Sequence, residues 1–470
     1  MQKFGEFIVN HRRLIIIICL LLLIPSIIGM KATRINYDIL VYLPDDIETI
    51  KGENILSEDF NIGAFSMIIL DNMDTKDILS LENKIKELDN VEKTVSIADI
   101  TGTGFPTEML PDEVKDAFYK DDSTLMLVTF KDQISSDSTL EAVEKIRDIT
   151  DEHCKVSGMT STVLDTRNLS DSEIVIYVII AVILCLIVLE IALDSYLAPI
   201  LLLLNIGIAI LFNMGSNIFL GQISYITKAI SAVLQLGVTM DFAIFLYHSY
   251  MQEKEKTSDI YEAMKNAICK TLLSVVGSSI TTIAGFLALC SMDLTLGRDI
   301  GIVMAKGVFL GVICVVTVLP AMLLQFNSLI EKTKHKEILP KFTHVKNFVL
   351  KHYKAIAISF IIILPIAFYG YQKTDIYYNL DKSLPDSLES ISANKELKDK
   401  FDDVVTKLQD SDQYSKLKDQ VDNVIVQVND KINEVKEKMS EQEFDDFSDL
   451  EDEINDIEDD LNVIIDDLKD

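Results

Sequence analysis

A few residues in this chain are of a type and setting that could do chemistry inside an apolar medium. Asp241 lies in GVTMDFAIF, a run with no other charge. A carboxylate at the centre of a membrane costs about 2.5–3.5 kcal/mol on insertion scales, so such a residue normally lines a relay or meets a counter-charge. A carboxyl group held between desolvation and a nearby cation can take up a proton on one side and release it on the other. Lys306, in DIGIVMAKGVFLG, is the natural cationic partner. Its long stem could bridge toward Asp241 or snorkel away from it. Thr281 and Thr282 could hydrogen-bond into the same proton relay, although hydroxyls in apolar helices more often bond their own backbone. The bland alternative for Asp241 is a static bond between helices. Gly297, Gly301, Gly307 and Gly311 give two small-xxx-small spacings, which point to close helix packing rather than substrate contact.

No catalytic constellation accompanies these groups. His153 stands alone and is assigned no ligand role. There is no P-loop, HExxH or CxxC, so neither an enzyme nor a cofactor is expected. Cys19, Cys185, Cys290 and Cys314 lie within apolar runs, Cys269 borders one and Cys154 is in a polar region, which is not a disulfide framework. A net charge of -30 argues against a nucleic-acid partner.

The elements that must position Asp241 and Lys306 follow from how charge and apolarity are distributed. The 470 residues are 49% hydrophobic and 25% charged, and the two classes are segregated along the chain. Seven apolar runs, 14–30, 174–193, 197–212, 225–247, 272–291, 300–326 and 355–371, are long enough or nearly so to cross a bilayer. The fold class expected is therefore an α-helical polytopic membrane protein. Lys3, Arg12 and Arg13 precede the first helix, and further lysines fill the loops after the fourth and sixth, which predicts a cytoplasmic N-terminus in the cell membrane. No small-residue cleavage site follows the first run, so it is read as retained. Residues 31–173 alternate in the order β-α-β-β-α-β, a split βαβ of the ferredoxin-like kind, placed outside. The expected organisation is 1–30 N-terminus and first helix, 31–173 outer domain, 174–326 five-helix bundle, 327–354 basic loop, 355–371 seventh helix, 372–400 the start of a second outer domain, and 401–470 an acidic segment. That last segment carries 24 acidic residues against 7 lysines. Two heptad seams, from Leu417 to Met439 and from Leu450 to Leu468, are joined by a polar break and predict a coiled-coil hairpin. The simplest role for it is a solvated spacer.

The chain also repeats itself. HRRLIIIICLLLLIPSIIGMKATRINYDILVYLPDD near the start is matched by HYKAIAISFIIILPIAFYGYQKTDIYYNLDKSLPDS later. His11 pairs with His352, Leu43-Pro44-Asp45 with Leu384-Pro385-Asp386, Leu56 with Leu397 and Phe60 with Phe401, all at one offset. Parallel repeats of helix bundles are a transporter architecture with the working site between halves. One copy is finished and a second begun, so the expectation is a fragment, a truncated product, or a half that assembles with a second half or as a homo-oligomer.

These segments resemble the resistance–nodulation–division superfamily, specifically its MMPL-type exporters. NMGSNIFLGQISYITKAISAVLQLGVTMDFAIFLYHSYMQEK is similar to that family's third and fourth helices, GSSITTIAGFLALCSM to its fifth and DIGIVMAKGVFLGVICVVTVLPAMLL to its sixth. The resemblance covers residues 1 to about 401. It implies twelve helices in a full protein, two outer porter domains, and export of lipids or of hydrophobic and amphiphilic small molecules driven by proton re-entry. The family motif has Asp-Tyr where this chain has Asp241-Phe242, so the phenolic hydroxyl is missing. A helical hairpin inserted in the second porter domain of some mycobacterial-type relatives looks like the acidic tail. The competing expectation is a non-transporting membrane scaffold or sterol-sensing-like module, or a truncated half that works only with a partner subunit.

Overall fold

A chain crossing lipid must satisfy its backbone hydrogen bonds internally, so the apolar runs fold as helices. The computed structural model describes residues 2–409 apart from 39, 45, 59–61, 97, 99–118, 121–122, 152, 337–342 and 375–383. The heptad seams of the acidic tail fall outside the described residues. In chain order the elements are α1 (Gln2–Asn10), α2 (Arg12–Ala32), β1 (Arg34–Asn36), α3 (Glu48–Glu58), β2 (Ala64–Asp71), α4 (Thr75–Lys86), β3 (Val91–Ser96), β4 (Tyr119–Lys120), β5 (Ser123–Phe130), α5 (Asp137–Ile149), β6 (Cys154–Ser157), α6 (Met159–Ala192), α7 (Leu197–Gly215), β7 (Gln222–Ser224), α8 (Tyr225–Lys254), α9 (Ile260–Ala288), α10 (Thr295–Gln325), α11 (Asn327–Lys332), α12 (Thr343–Gln372) and α13 (Glu389–Gln409).

Seven of these helices, α2, α6, α7, α8, α9, α10 and α12, are long and apolar enough to cross a membrane, which makes this a multi-pass membrane protein. Burial divides them into a centre and a rim. In α10, 78% of the most apolar window is buried, against 11% in α2 and α9 and none in α12. α10 packs against α2, α7, α8 and α9. The rim helices turn Leu, Ile and Phe side chains outward, as lipid contact requires.

Residues between α2 and α6 form an antiparallel sheet in the order β3-β5-β2-β6, with short β4 beside β5. Both faces of its two central strands are covered. Ile68, Leu70, Met126 and Val128 pack with Ile78, Ile85, Val143 and Ile146 of α4 and α5. The alternate residues Ile69 and Leu125 pack with Leu397 and Phe401 of α13. Double burial explains why β2 and β5 read as near-continuous apolar runs rather than strict alternations. Two links tie this domain to the membrane bundle. α6 runs unbroken from the end of the sheet into the apolar layer, and β1 pairs in parallel with β7, which sits between α7 and α8.

The repeat is visible in backbone geometry. His11, between α1 and α2, leaves the helical conformation at φ -104, ψ 17, and His352 does so within α12 at φ -112, ψ 18. Each histidine ring lies against a phenylalanine four residues earlier, Phe7 at 4.5 Å and Phe348 at 4.9 Å between centroids. The matched segments α3 and α13 have different surroundings. α13 is docked on the sheet, whereas Ile55 and Leu56 of α3 are exposed.

α13 is also held by charge. The Lys400 ammonium donates to Asp71 at 2.9 Å and meets Glu396 at 2.8 Å, and Lys155 pairs with Glu396. At Asp71, burial works against ionisation. The Ser123 hydroxyl and the Lys400 and Lys155 cations outweigh it and hold the carboxyl below its ordinary 3.8. Glu396 is held below 4.5 by Lys155 and Lys400 against the same opposition. Lys400 is desolvated too, yet Glu396 and Asp71 hold it above 10.5. A depressed carboxyl contributes stability above its unfolded value and loses it as pH falls through the folded one; a raised amine does the reverse. The docking of α13 is therefore expected to be strongest between about pH 4.5 and 10.5 and to loosen on either side. Hydrogen exchange of α13 amides across pH, corrected for intrinsic rates, checks this. Protection unchanged through pH 3 would show that the apolar contacts alone hold the helix.

Candidate functional site

α8 presents two polar faces, and helical periodicity sets them on opposite sides. Thr227, Ser231, Gln235 and Thr239 recur every fourth residue and are all buried. Asp241 is two residues past Thr239, about 200° round at 3.6 residues per turn. It lies with Gly237, Phe245 and His248 on an exposed stripe. Among the described residues the Asp241 carboxylate makes no hydrogen bond or ion pair.

Lys306 faces the other way. Its ammonium donates to the carbonyl oxygen of Asn213 at 3.0 Å and to the side chain of Asn217. The expected Asp241–Lys306 pair is not formed, because α10 packs on the Gln235–Thr239 face of α8. Gln235 donates to the Gly307 carbonyl at 3.0 Å and accepts from Asn213 at 2.9 Å. Nearer the sheet domain, Asp299 of α10 accepts from the Ser224 amide at 2.8 Å and from the Thr227 hydroxyl. Asn205, Asn213, Gln235 and Asp299 had no part in the sequence reading. For Gln235 the signal was the four-residue series Thr227, Ser231, Gln235 and Thr239, and for Asn205 and Asn213 a two-turn spacing in an otherwise apolar α7; Asp299 carried no such spacing.

The other residues singled out from sequence are placed as follows. Thr281 and Thr282 both donate to the Ser278 carbonyl of their own helix, at 2.7 and 3.1 Å, and neither reaches Asp241. Gly297, Gly301, Gly307 and Gly311 line the buried side of α10. A Cβ at Gly301 would come within 2.6 Å of the Phe286 carbonyl oxygen, and one at Gly311 within 2.7 Å of the Thr239 hydroxyl. Phe242, at the position of the family tyrosine, packs into the bundle core rather than beside Asp241 on the exposed stripe.

A cavity of about 660 Å³ opens where the sheet domain meets the bundle. Its walls are apolar at Ile174, Ile210, Met214 and Ile223, and Lys31, Arg34, Arg167 and Lys228 stand among its polar residues with Asp137 and Asp171. Lys228 pairs with Asp171 at 2.8 Å, to which Tyr37 also donates. Lys31 has no hydrogen-bond or ion-pair partner among the described residues. Outside the membrane, burial pushes the Cys154 thiol up to about 11, so it is not a ready nucleophile.

The sequence model of the MMPL family matches residues 42–342, more than half of the chain, from the segment after α2 through the whole α6–α10 bundle. The chain belongs to the MMPL family. This MMPL protein is 32% identical over 139 residues to MJ1562 of Methanocaldococcus jannaschii, named as a membrane protein, with 29% of this chain and 36% of that one aligned. It is 32% identical over 150 residues to ActII-3 of Streptomyces coelicolor, also named as a membrane protein, covering 30% of this chain and 21% of that one. SCO0839 of the same organism is 28% identical over 149 residues, 21% of its length. The matched region thus spans well under half of each relative.

Proposed function

We propose that this MMPL protein is part of a secondary exporter that uses proton re-entry to move lipids or other amphiphiles out of the cell membrane. The observation that carries the reading is Asp241: an unpartnered carboxylate on the exposed stripe of a membrane helix. A static scaffold has no use for a group that costs several kcal/mol at that depth. Its exposed stripe carries Gly237 one turn before it and Phe245 one turn after it. Gly237 has no atom within 4 Å of an added Cβ. Small residues at membrane depth suit close approach of further helices. In this reading a second bundle covers the Asp241 face, and the proton is exchanged between the two. The exposed Ile55 and Leu56 of α3 suit a second sheet domain, as α13 suits the first. The sheet domains act as porter domains, and α6 transmits their movement as a continuous rod. The cavity beside Lys31 and Lys228 would hold the amphiphile, its apolar walls taking the chain. The lysines on the loop side support an orientation with that side and the N-terminus in the cytoplasm.

The test is the full-length gene product in proteoliposomes loaded with a fluorescent amphiphile. An imposed proton gradient should accelerate its movement and collapse as it does so. Equal movement with and without the gradient would leave a membrane module that does not transport.

A further inference from the structure

The stripe of polar residues buried between α7, α8 and α10 is not used by the Asp241 reading, and its hydrogen bonding does not close. Asn213 faces Gln235, and Gln235 faces Gly307. α7 and α8 run antiparallel, while α8 and α10 run parallel, since Thr239 meets Gly311 one turn along from Gln235 and Gly307. Stepping a turn at a time from Asn213 back along α7 therefore brings Ala209 level with Thr239 and Asn205 level with Ala243. The three levels are Asn213 with Gln235 and Gly307, Ala209 with Thr239 and Gly311, and Asn205 with Ala243. Apart from the polar side chains, glycine and alanine occupy the first two levels, and buried Val315 of α10 joins Ala243 at the third.

Four polar atoms on this line have no partner: Oδ1 of Asn213, Oγ1 of Thr239, and both Oδ1 and Nδ2 of Asn205. The residues are 0%, 1% and 0% exposed. A buried polar group left unpaired is strongly unfavourable, and ordered water is the usual remedy where the site is polar. The unpaired set contains donors and acceptors together. A bound cation would satisfy only the oxygens, and the Lys306 ammonium beside Asn213 would repel it. Water satisfies both kinds. Lys306 has three N–H donors, and Asn213 and Asn217 take two.

We propose that the bundle core binds a short file of water molecules bridging Asn213, Thr239 and Asn205 and reaching the Lys306 ammonium. The file gives Lys306 a hydrated connection running from the sheet-domain side toward the loop side, separated from Asp241 by the width of α8. It stands whether or not the protein exports anything.

The experiment is hydroxyl-radical footprinting of the full chain in membranes, where water bound inside the core generates radicals in place. Met240, next to Thr239 and 7% exposed, should be oxidised, while Met322, 4% exposed, and the fully enclosed Met264 stay protected. Replacing sodium and potassium by a large organic cation should not change the pattern. The companion variant is Asn205→Leu. Expelling the shared water should lower the melting temperature by a few degrees and protect Met240. Met240 as protected as Met264 in the unaltered chain overturns the proposal, and so does a pattern that depends on sodium. A rise in melting temperature for Asn205→Leu also overturns it, because that is the signature of a dry, unpaired amide. If the variant does not fold, the Met240 pattern of the unaltered chain decides alone.

Discussion

Asp241→Asn is expected to reduce proton-gradient-driven export by the full-length protein about 5–150-fold, the range of a 1–3 kcal/mol coupling free energy. Its amount in the membrane should not change. The side chain is exposed and unpartnered among the described residues, so the amide breaks no contact among them. An uncharged amide is also easier to insert at membrane depth than a carboxylate. What is removed is the ability to bind and release a proton, and a loss of flux is then a loss of coupling. Asp241→Glu keeps the acid and should retain part of the activity. Measuring gradient-driven flux together with membrane-extracted protein separates coupling from assembly. Full flux from the asparagine variant would take Asp241 out of the mechanism.

The second large effect concerns packing. At the crossing of α2 and α7, a Cβ on Gly29 would overlap the carbonyl oxygen of Gly215, and one on Gly215 would overlap that of Ser26. Both obstacles are backbone, which cannot rotate aside as a side chain end can. Gly29→Ala should therefore force the helices apart and cost about 1–3 kcal/mol or more, as overpacking does. Gly277→Ala is the control. No atom lies within 4 Å of its Cβ, and the change should be neutral or stabilise α9 by up to about 1 kcal/mol through helix propensity. Thermal unfolding in one detergent, followed by retention of monodisperse protein, ranks the two. Equal stability of the Gly29 and Gly277 variants would show that the crossing is looser than drawn. Neither Gly29 nor Gly215 belongs to a small-xxx-small pair with another glycine, which is why the sequence reading passed over them.

Several features were legible in the residues because they depend on local periodicity alone. Seven runs of apolar residues must become helices in lipid whatever their neighbours. The strands β2 and β5 announce themselves by β-branched and large apolar residues, and α4 and α5 by three- and four-residue spacing. The pairing of His11 with His352, read from the repeat, coincides with a shared break from helical geometry at both. The MMPL motifs gave the family before any contact was known.

Partners across space were not legible. Asp241 and Lys306 were joined because each is a charge in an apolar run, but sequence carries no direction around the helix relative to a neighbour. The packing of α10 against the Gln235–Thr239 face sent the two charges to opposite sides of α8. The docking of α13 on the sheet, the β1–β7 pairing and the crossing at Gly29 likewise join residues far apart in the chain. Periodicity fixes which residues share a face. Which face meets which, and so whether a buried polar group finds a partner, is decided only when helices from distant parts of the chain compete for the same space.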